Sequence, residues 1–179
     1  MSTPRRTRTA RLGAATALTA ALAAALPAAP AAARDHSYVQ IRNSASTKCL
    51  EIADWRTDDG AAARQWTCTD LANQKWSWSD AGQLTNAYSG KCLEVPGAST
   101  QWGVQVEQRT CNGRPEQRWS DANCLSDGSR LIINLNSGLM LDLAGSSSAD
   151  GAKVAQWPWN GGANQKWTYN LDCRPGGDG

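Results

Sequence analysis

The sequence predicts an all-β chain folded as a β-trefoil, and three observations carry that prediction. The pentapeptide Ala-Asn-Gln-Lys-Trp occurs at Ala72–Trp76 and again at Ala163–Trp167, with a relative, Pro115-Glu116-Gln117-Arg118-Trp119, between them. Around these marks the chain aligns with itself in three copies, the second 43 residues beyond the first and the third a further 48. Short β-type runs bounded by turn residues recur in each copy, and no stretch after residue 33 has the spacing or length of an amphipathic helix.

The first 33 residues stand apart from the repeats. Arg5, Arg6, Arg8 and Arg11 form a basic start, Leu12 to Leu26 is an uncharged Ala/Leu-rich stretch, and Ala31-Ala32-Ala33 offers a small-residue cleavage site. That order reads as a secretory signal peptide, and the apolar run is too short to serve as a membrane span. Arg5-Arg6 raises the twin-arginine export route, but the following Thr7-Arg8-Thr9-Ala10 lacks the usual apolar pair, which favours ordinary secretion. The expected organisation is a signal peptide over 1–33, one domain over 34–173 and a flexible tail over 174–179. The whole chain carries a formal charge of +2, yet four arginines and no acids lie in the first 33 residues. The remainder is therefore slightly acidic, which argues against an electrostatic grip on nucleic acid or anionic lipid. A monomer is expected.

Within the domain the repeats run over about 38–80, 81–123 and 124–171. From the shared Asn to the shared Trp there is no gap in any copy. Asn43, Asn86 and Asn134 coincide, as do Leu50, Leu93 and Leu141, then the acids Glu51, Glu94 and Asp142. Gly60, Gly103 and Gly151 follow, then Gln65, Gln108 and Gln156, and the five extra residues of the third copy fall between Ser120 and Leu131. Val39-Gln40-Ile41, Leu131-Ile132-Ile133 and the Cys-Leu-Glu runs read as strands, and Asp59-Gly60 and Asp150-Gly151 as hairpin turns. Three units of roughly four short strands give about twelve strands. Closing them into a barrel removes the exposed edges that would recruit other chains, whereas an open solenoid, the rival arrangement, would show atypical end caps.

Six cysteines remain after residue 33, enough for fifteen pairings. The repeats select one. Cys49 and Cys68 occupy the same two positions as Cys92 and Cys111, and in the third copy both are replaced together, by Met140 and Trp159. This predicts Cys49–Cys68 and Cys92–Cys111 disulfides, with Cys124 and Cys173 left to pair with each other. A metal site is not expected, since there is no closely spaced cysteine pair and His36 is the only histidine.

A Gln-x-Trp closing each of three repeats, with Lys-Cys-Leu-Glu opening two of them, resembles the ricin B-chain type lectins and the related carbohydrate-binding modules. The likeness extends from about Tyr38 to Cys173. It implies a β-trefoil in which the Gln-x-Trp residues are architectural and a shallow sugar pocket sits in each repeat. In that pattern an acid after Cys-Leu binds hydroxyls, an aromatic two residues before the second cysteine stacks on the sugar, and the Asn before the motif Gln donates a further bond. The third repeat carries this set as Asp142, Trp157, Asn164 and Gln165. The first carries Glu51, Trp66, Asn73 and Gln74, with a longer acid. The second has Glu94, Arg109 for the aromatic and Glu116 for the Asn, so its pocket is expected to be lost.

The resemblance therefore implies a secreted, non-catalytic protein that binds oligo- or polysaccharides without a cofactor, mainly through the third repeat. A glycosidase needs two carboxylates flanking one bond, and the repeat places Glu51, Glu94 and Asp142 in three separate pockets. The alternative is a trefoil interaction protein or inhibitor that reaches a protein partner through loops carrying Trp55 and Trp102, since the fold alone does not decide function.

Overall fold

The computed structural model describes Met1 and residues 37–169. The expected signal peptide, the tail and Cys173, the expected partner of Cys124, lie outside the described residues.

The first repeat contributes β1 (Val39–Gln40), β2 (Arg42–Asn43), β3 (Cys49–Ile52), β4 (Ala61–Trp66) and β5 (Lys75–Trp78). The second contributes β6 (Leu84–Asn86), β7 (Cys92–Glu94), β8 (Glu107–Arg109) and β9 (Trp119–Cys124). The third contributes β10 (Arg130–Asn134), β11 (Met140–Leu143), β12 (Val154–Trp157) and β13 (Lys166–Thr168). There are thirteen strands among the described residues rather than twelve because the first one breaks at Ile41. Its halves serve different partners: β1 pairs with β5, and β2 with β3 and β13. The five extra residues of the third copy lie in and after β9, which runs longer than its counterparts and pairs with β10 across a register shift between Leu131 and Ile133. Among the described residues the helical content is confined to three-residue 3₁₀ turns, three of which contain the motif glutamine: Ala72–Gln74, Pro115–Gln117 and Ala163–Gln165. No helix among the described residues is long and apolar enough to cross a membrane.

The repeated sequence has a repeated structural job. Trp76, Trp119 and Trp167 are buried in one core with Leu50, Leu93, Leu141 and Ile132. Each indole N–H donates to the carbonyl of the shared leucine, Leu50, Leu93 or Leu141, at 3.0, 3.0 and 2.9 Å. A buried indole thus gains its apolar contact without stranding its one donor. With no phenylalanine in the chain, tryptophan fills the central volume. Asn43, Asn86 and Asn134 fasten each repeat to the one before it, donating to the carbonyls of Asn164, Asn73 and Glu116 at 2.9, 2.9 and 3.0 Å.

A second set of glutamines closes the threefold ring. The backbone N–H groups of Gly60, Gly103 and Gly151 donate to the carbonyls of Gln108, Gln156 and Gln65. Each of those glycines has φ between 72° and 84°, a left-handed conformation that an L side chain adopts only with strain. The buried side chain of Gln65 donates to Ser147 and Ala149 carbonyls, that of Gln108 to Arg56 and Asp58, and that of Gln156 to Ser99 and Gln101. Each repeat therefore holds a loop of a neighbour, and the cycle returns on itself.

Both repeat-derived disulfides are present. Cys49–Cys68 and Cys92–Cys111 each span 19 residues with Cα atoms 5.1 Å apart.

Candidate functional site

In every repeat the acid and the stacking position lie on neighbouring antiparallel strands, β3 with β4, β7 with β8 and β11 with β12. Residues two apart on a strand share a face. The face that looks away from the core therefore carries Arg64 and Trp66 on β4, Glu107 and Arg109 on β8, and Ala155 and Trp157 on β12. The register sets each acid opposite the first of these: Glu51 faces Arg64, Glu94 faces Glu107, and Asp142 faces Ala155. The stacking positions Trp66, Arg109 and Trp157 sit opposite Cys49, Cys92 and Met140.

The motif glutamine orients the acid from below. Gln74 and Gln117 donate through Nε2 to Oε2 of Glu51 and Glu94 at 2.9 and 2.7 Å, and Gln165 donates to Oδ2 of Asp142 at 2.8 Å. The same nitrogen reaches a carbonyl of the preceding loop, and Oε1 of each glutamine accepts a backbone N–H from Thr69, Asn112 or Asn160. The first copy of the pentapeptide also brings Asn73 to Glu51 at 3.3 Å, and the last brings Asn164 to Asp142 at 2.8 Å.

The three pockets part company at the other carboxylate oxygen. In the first repeat Arg64 Nε lies 2.9 Å from Glu51 Oε1, its Nη2 lies 3.0 Å from Asp54, and its guanidinium sits 4.5 Å over the Trp66 ring. One arginine thus occupies both the acid and the aromatic face. In the second repeat Arg109 Nε lies 2.8 Å from Glu94 Oε1 and Nη2 lies 3.3 Å from Glu107. In the third repeat both amides fall on Oδ2 of Asp142, and Oδ1 has no partner among the described residues. Ala155 is too short to reach it.

The third-repeat pocket has a volume of about 280 Å³ and is walled by Asp142, Gly145, Lys153, Ala155, Trp157 and Asn164, with Gly103 contributed by the second repeat. Trp157 is 41% exposed, while Asp142 on the floor is 4% exposed. Burial raises the Asp142 pKa above its ordinary value, and the two amides work against that rise. A cavity of about 270 Å³ also lies in the first repeat, lined by Glu51, Trp66, Asn73 and Gln74 together with Arg64 and Asp54. Of the residues expected in the third repeat, Asp142, Trp157 and Asn164 line the cavity and Gln165 lies beneath the acid; Arg64 was not among the residues the sequence singled out. Its signal was available, since the residue two before the stacking position differs in all three copies: Arg64, Glu107 and Ala155. Among the described residues no group of His, Cys, Asp and Glu is arranged to hold a metal ion.

Residues 37–167 match the model of the ricin-type β-trefoil lectin domain. The chain belongs to this family. A designed threefold-symmetric protein, ThreeFoil, is 34% identical, with a TM-score of 0.72 over 74% of this chain and 96% of that one. The exo-β-1,3-galactanase 1,3Gal43A from Clostridium thermocellum is 30% identical, with a TM-score of 0.71 over 77% of this chain and 31% of the galactanase. The hemolytic lectin CEL-III is 26% identical, with a TM-score of 0.64 over 75% of this chain and 30% of that protein. The chain thus spans under a third of the last two. Membership of the ricin-type lectins supports carbohydrate binding in general, through a domain type that is in general non-catalytic.

Proposed function

We propose that this ricin-type domain is a secreted, non-catalytic carbohydrate-binding protein whose principal sugar site is the third-repeat pocket. A single observation carries the reading: there, and not in the other repeats, the acid keeps an oxygen without a protein partner beside an aromatic face that no arginine covers. A pyranose has an apolar C–H face and a rim of hydroxyls. Trp157 supplies the flat apolar surface and Asp142 Oδ1 accepts from adjacent hydroxyls, while Asn164, whose Nδ2 donates to Asp142 and to the Leu143 carbonyl, braces the acid from the pocket wall and has no amide hydrogen left to donate to the sugar. An oxygen that lacks a partner in a half-dry pocket gains more from a ligand hydroxyl than one already bonded. Glu51 with Trp66 forms a second candidate pocket, whose acid oxygen and aromatic face Arg64 occupies.

The pocket is shallow, so affinity for one sugar is expected to be weak, and useful strength would come from a polymer that engages the protein more than once. Disulfides fit an oxidising compartment, which supports export by the amino-terminal segment. The likeness to part of a galactanase places β-1,3-galactan among the first polymers to try.

The test is a glycan and polysaccharide binding screen on residues 34–179 beside Asp142→Ala and Trp157→Ala. Binding lost in both variants, with melting unchanged, supports the site. Binding that survives both and falls with Trp66→Ala moves it to the first repeat. No binding by a folded wild-type chain overturns the lectin reading and favours a protein partner reached through the exposed Trp55 and Trp102.

A further inference from the structure

The seams between repeats follow one pattern twice and break it once. At the first-to-second seam Asp59 accepts from the Thr110 backbone N–H at 2.8 Å, from the Thr110 hydroxyl, and from Lys91 Nζ at 2.7 Å. At the third-to-first seam Asp150 accepts from the Thr67 backbone N–H at 2.7 Å, from the Thr67 hydroxyl, and from Lys48 Nζ at 2.7 Å. The equivalent residues at the second-to-third seam are Trp102, Pro158 and Leu139. All three members of a polar clamp have been exchanged for apolar ones, and only beside the open pocket.

Stability alone does not account for the tryptophan. Trp102 is 66% exposed, so most of its large apolar surface faces solvent. Its ring lies 6.1 Å from that of Trp157, centroid to centroid, with the planes inclined at 54°. The next residue, Gly103, is part of the pocket wall, and a Cβ there would stand 3.1 Å from the Trp157 ring. The seam therefore sets a second, solvent-exposed aromatic ring beside the one that walls the pocket.

The geometry points to Trp102 as a second stacking platform: the third-repeat site takes an oligosaccharide, with one ring on Trp157 above Asp142 and the neighbouring ring on Trp102. This rests on the reading of the pocket as a sugar site and adds the length of ligand it selects. A clamp that was merely apolar would bury its tryptophan. A platform leaves it open, inclined to its neighbour so that a glycan can bend across both.

The test is calorimetric titration of the chain with galactose against β-1,3-galactotriose, and with xylose against xylotriose, for wild type, Trp102→Ala, Trp102→Asp and Asp142→Ala. The expected result is that wild type binds one of the trisaccharides roughly three- to tenfold more tightly than its monosaccharide. Both Trp102 variants should erase that preference and leave monosaccharide affinity unchanged, whereas Asp142→Ala should abolish both. A length preference that persists without Trp102, or equal affinity for both lengths in wild type, overturns the platform while leaving the pocket. Loss of monosaccharide binding in a Trp102 variant with a lowered Tm assigns Trp102 a structural role instead. If none of the four sugars binds wild type, the platform as described falls, and the sugar pocket falls with it only if the folded chain also binds nothing in the glycan and polysaccharide screen.

Discussion

Arg64→Ala tests how one fold silences a pocket without losing it. Arg64 pairs with Glu51 at 2.9 Å and with Asp54 at 3.0 Å, and covers Trp66 at 4.5 Å. The side chains of Arg64 and Glu51 are 19% and 5% exposed, so the pair is largely desolvated. Breaking a buried pair by removing one partner costs about 3–5 kcal/mol when the remaining charge is stranded. Here it is not stranded. Gln74 and Asn73 still donate to Oε2, and the freed Oε1 lies beside the first-repeat cavity, from which solvent can hydrate it. Asp142 shows that the fold carries a carboxylate held by one Gln and one Asn without a cation. The expected loss is therefore about 1–2 kcal/mol, or a few degrees in Tm.

In exchange the Trp66 face and Glu51 Oε1 become available. Calorimetric titration with the sugar retained in the binding screen should show stoichiometry rising from one site toward two per chain. The sharper comparison uses Asp142→Ala, which should abolish binding, against Arg64→Ala/Asp142→Ala, which should restore it through the first repeat. A folded double variant that binds no sugar would refute the reasoning. The extra methylene of Glu51, rather than the arginine, would then be what keeps the first pocket from working.

Asp142 must be ionised to accept two hydroxyls, and burial holds its pKa above the ordinary 3.8. Sugar affinity should therefore begin to fall, on acidification, at a higher pH than an ordinary carboxylate would give, and Asp142→Asn should remove that dependence along with most of the affinity. The sign for stability is opposite. A carboxyl whose folded pKa is raised binds more protons folded than unfolded, so its contribution to stability grows as pH drops through that window; urea titrations between pH 3 and 6 should show a smaller gain in the Asn variant. Gln117→Ala removes donors to Glu94 and the Thr110 carbonyl and an acceptor for Asn112, all in a fully buried position, and should cost about 2–4 kcal/mol in urea unfolding. A value below 1 kcal/mol would mean the glutamine is not the brace described. Replacing Cys92 and Cys111 together by alanine should cost about 3 kcal/mol, an effect that reducing agent on wild type should match or exceed, since it also opens Cys49–Cys68.

What the sequence determined by itself was everything that repeats. In-register identity is visible in one dimension, so the threefold fold and two disulfides were legible from Gln74, Gln117 and Gln165 and from the paired loss of cysteines at Met140 and Trp159, while the architectural role of Gln-x-Trp came through the family resemblance. The acid, aromatic and Asn of the third pocket were legible too, through the family resemblance. The tertiary structure decided what differs between copies. Arg64 stands 13 residues from Glu51 in the chain, and only the pairing of β3 with β4 sets it opposite the acid and over Trp66. The split of the first strand at Ile41 was equally hidden, because it comes from two halves finding different partners. Trp102 reaches Trp157 only because a glycine turn of one repeat is pinned to the glutamine of the next. Repetition specifies a shared frame. Which pocket in that frame stands open depends on side chains that meet across strands and seams, where sequence distance carries no information about spatial distance.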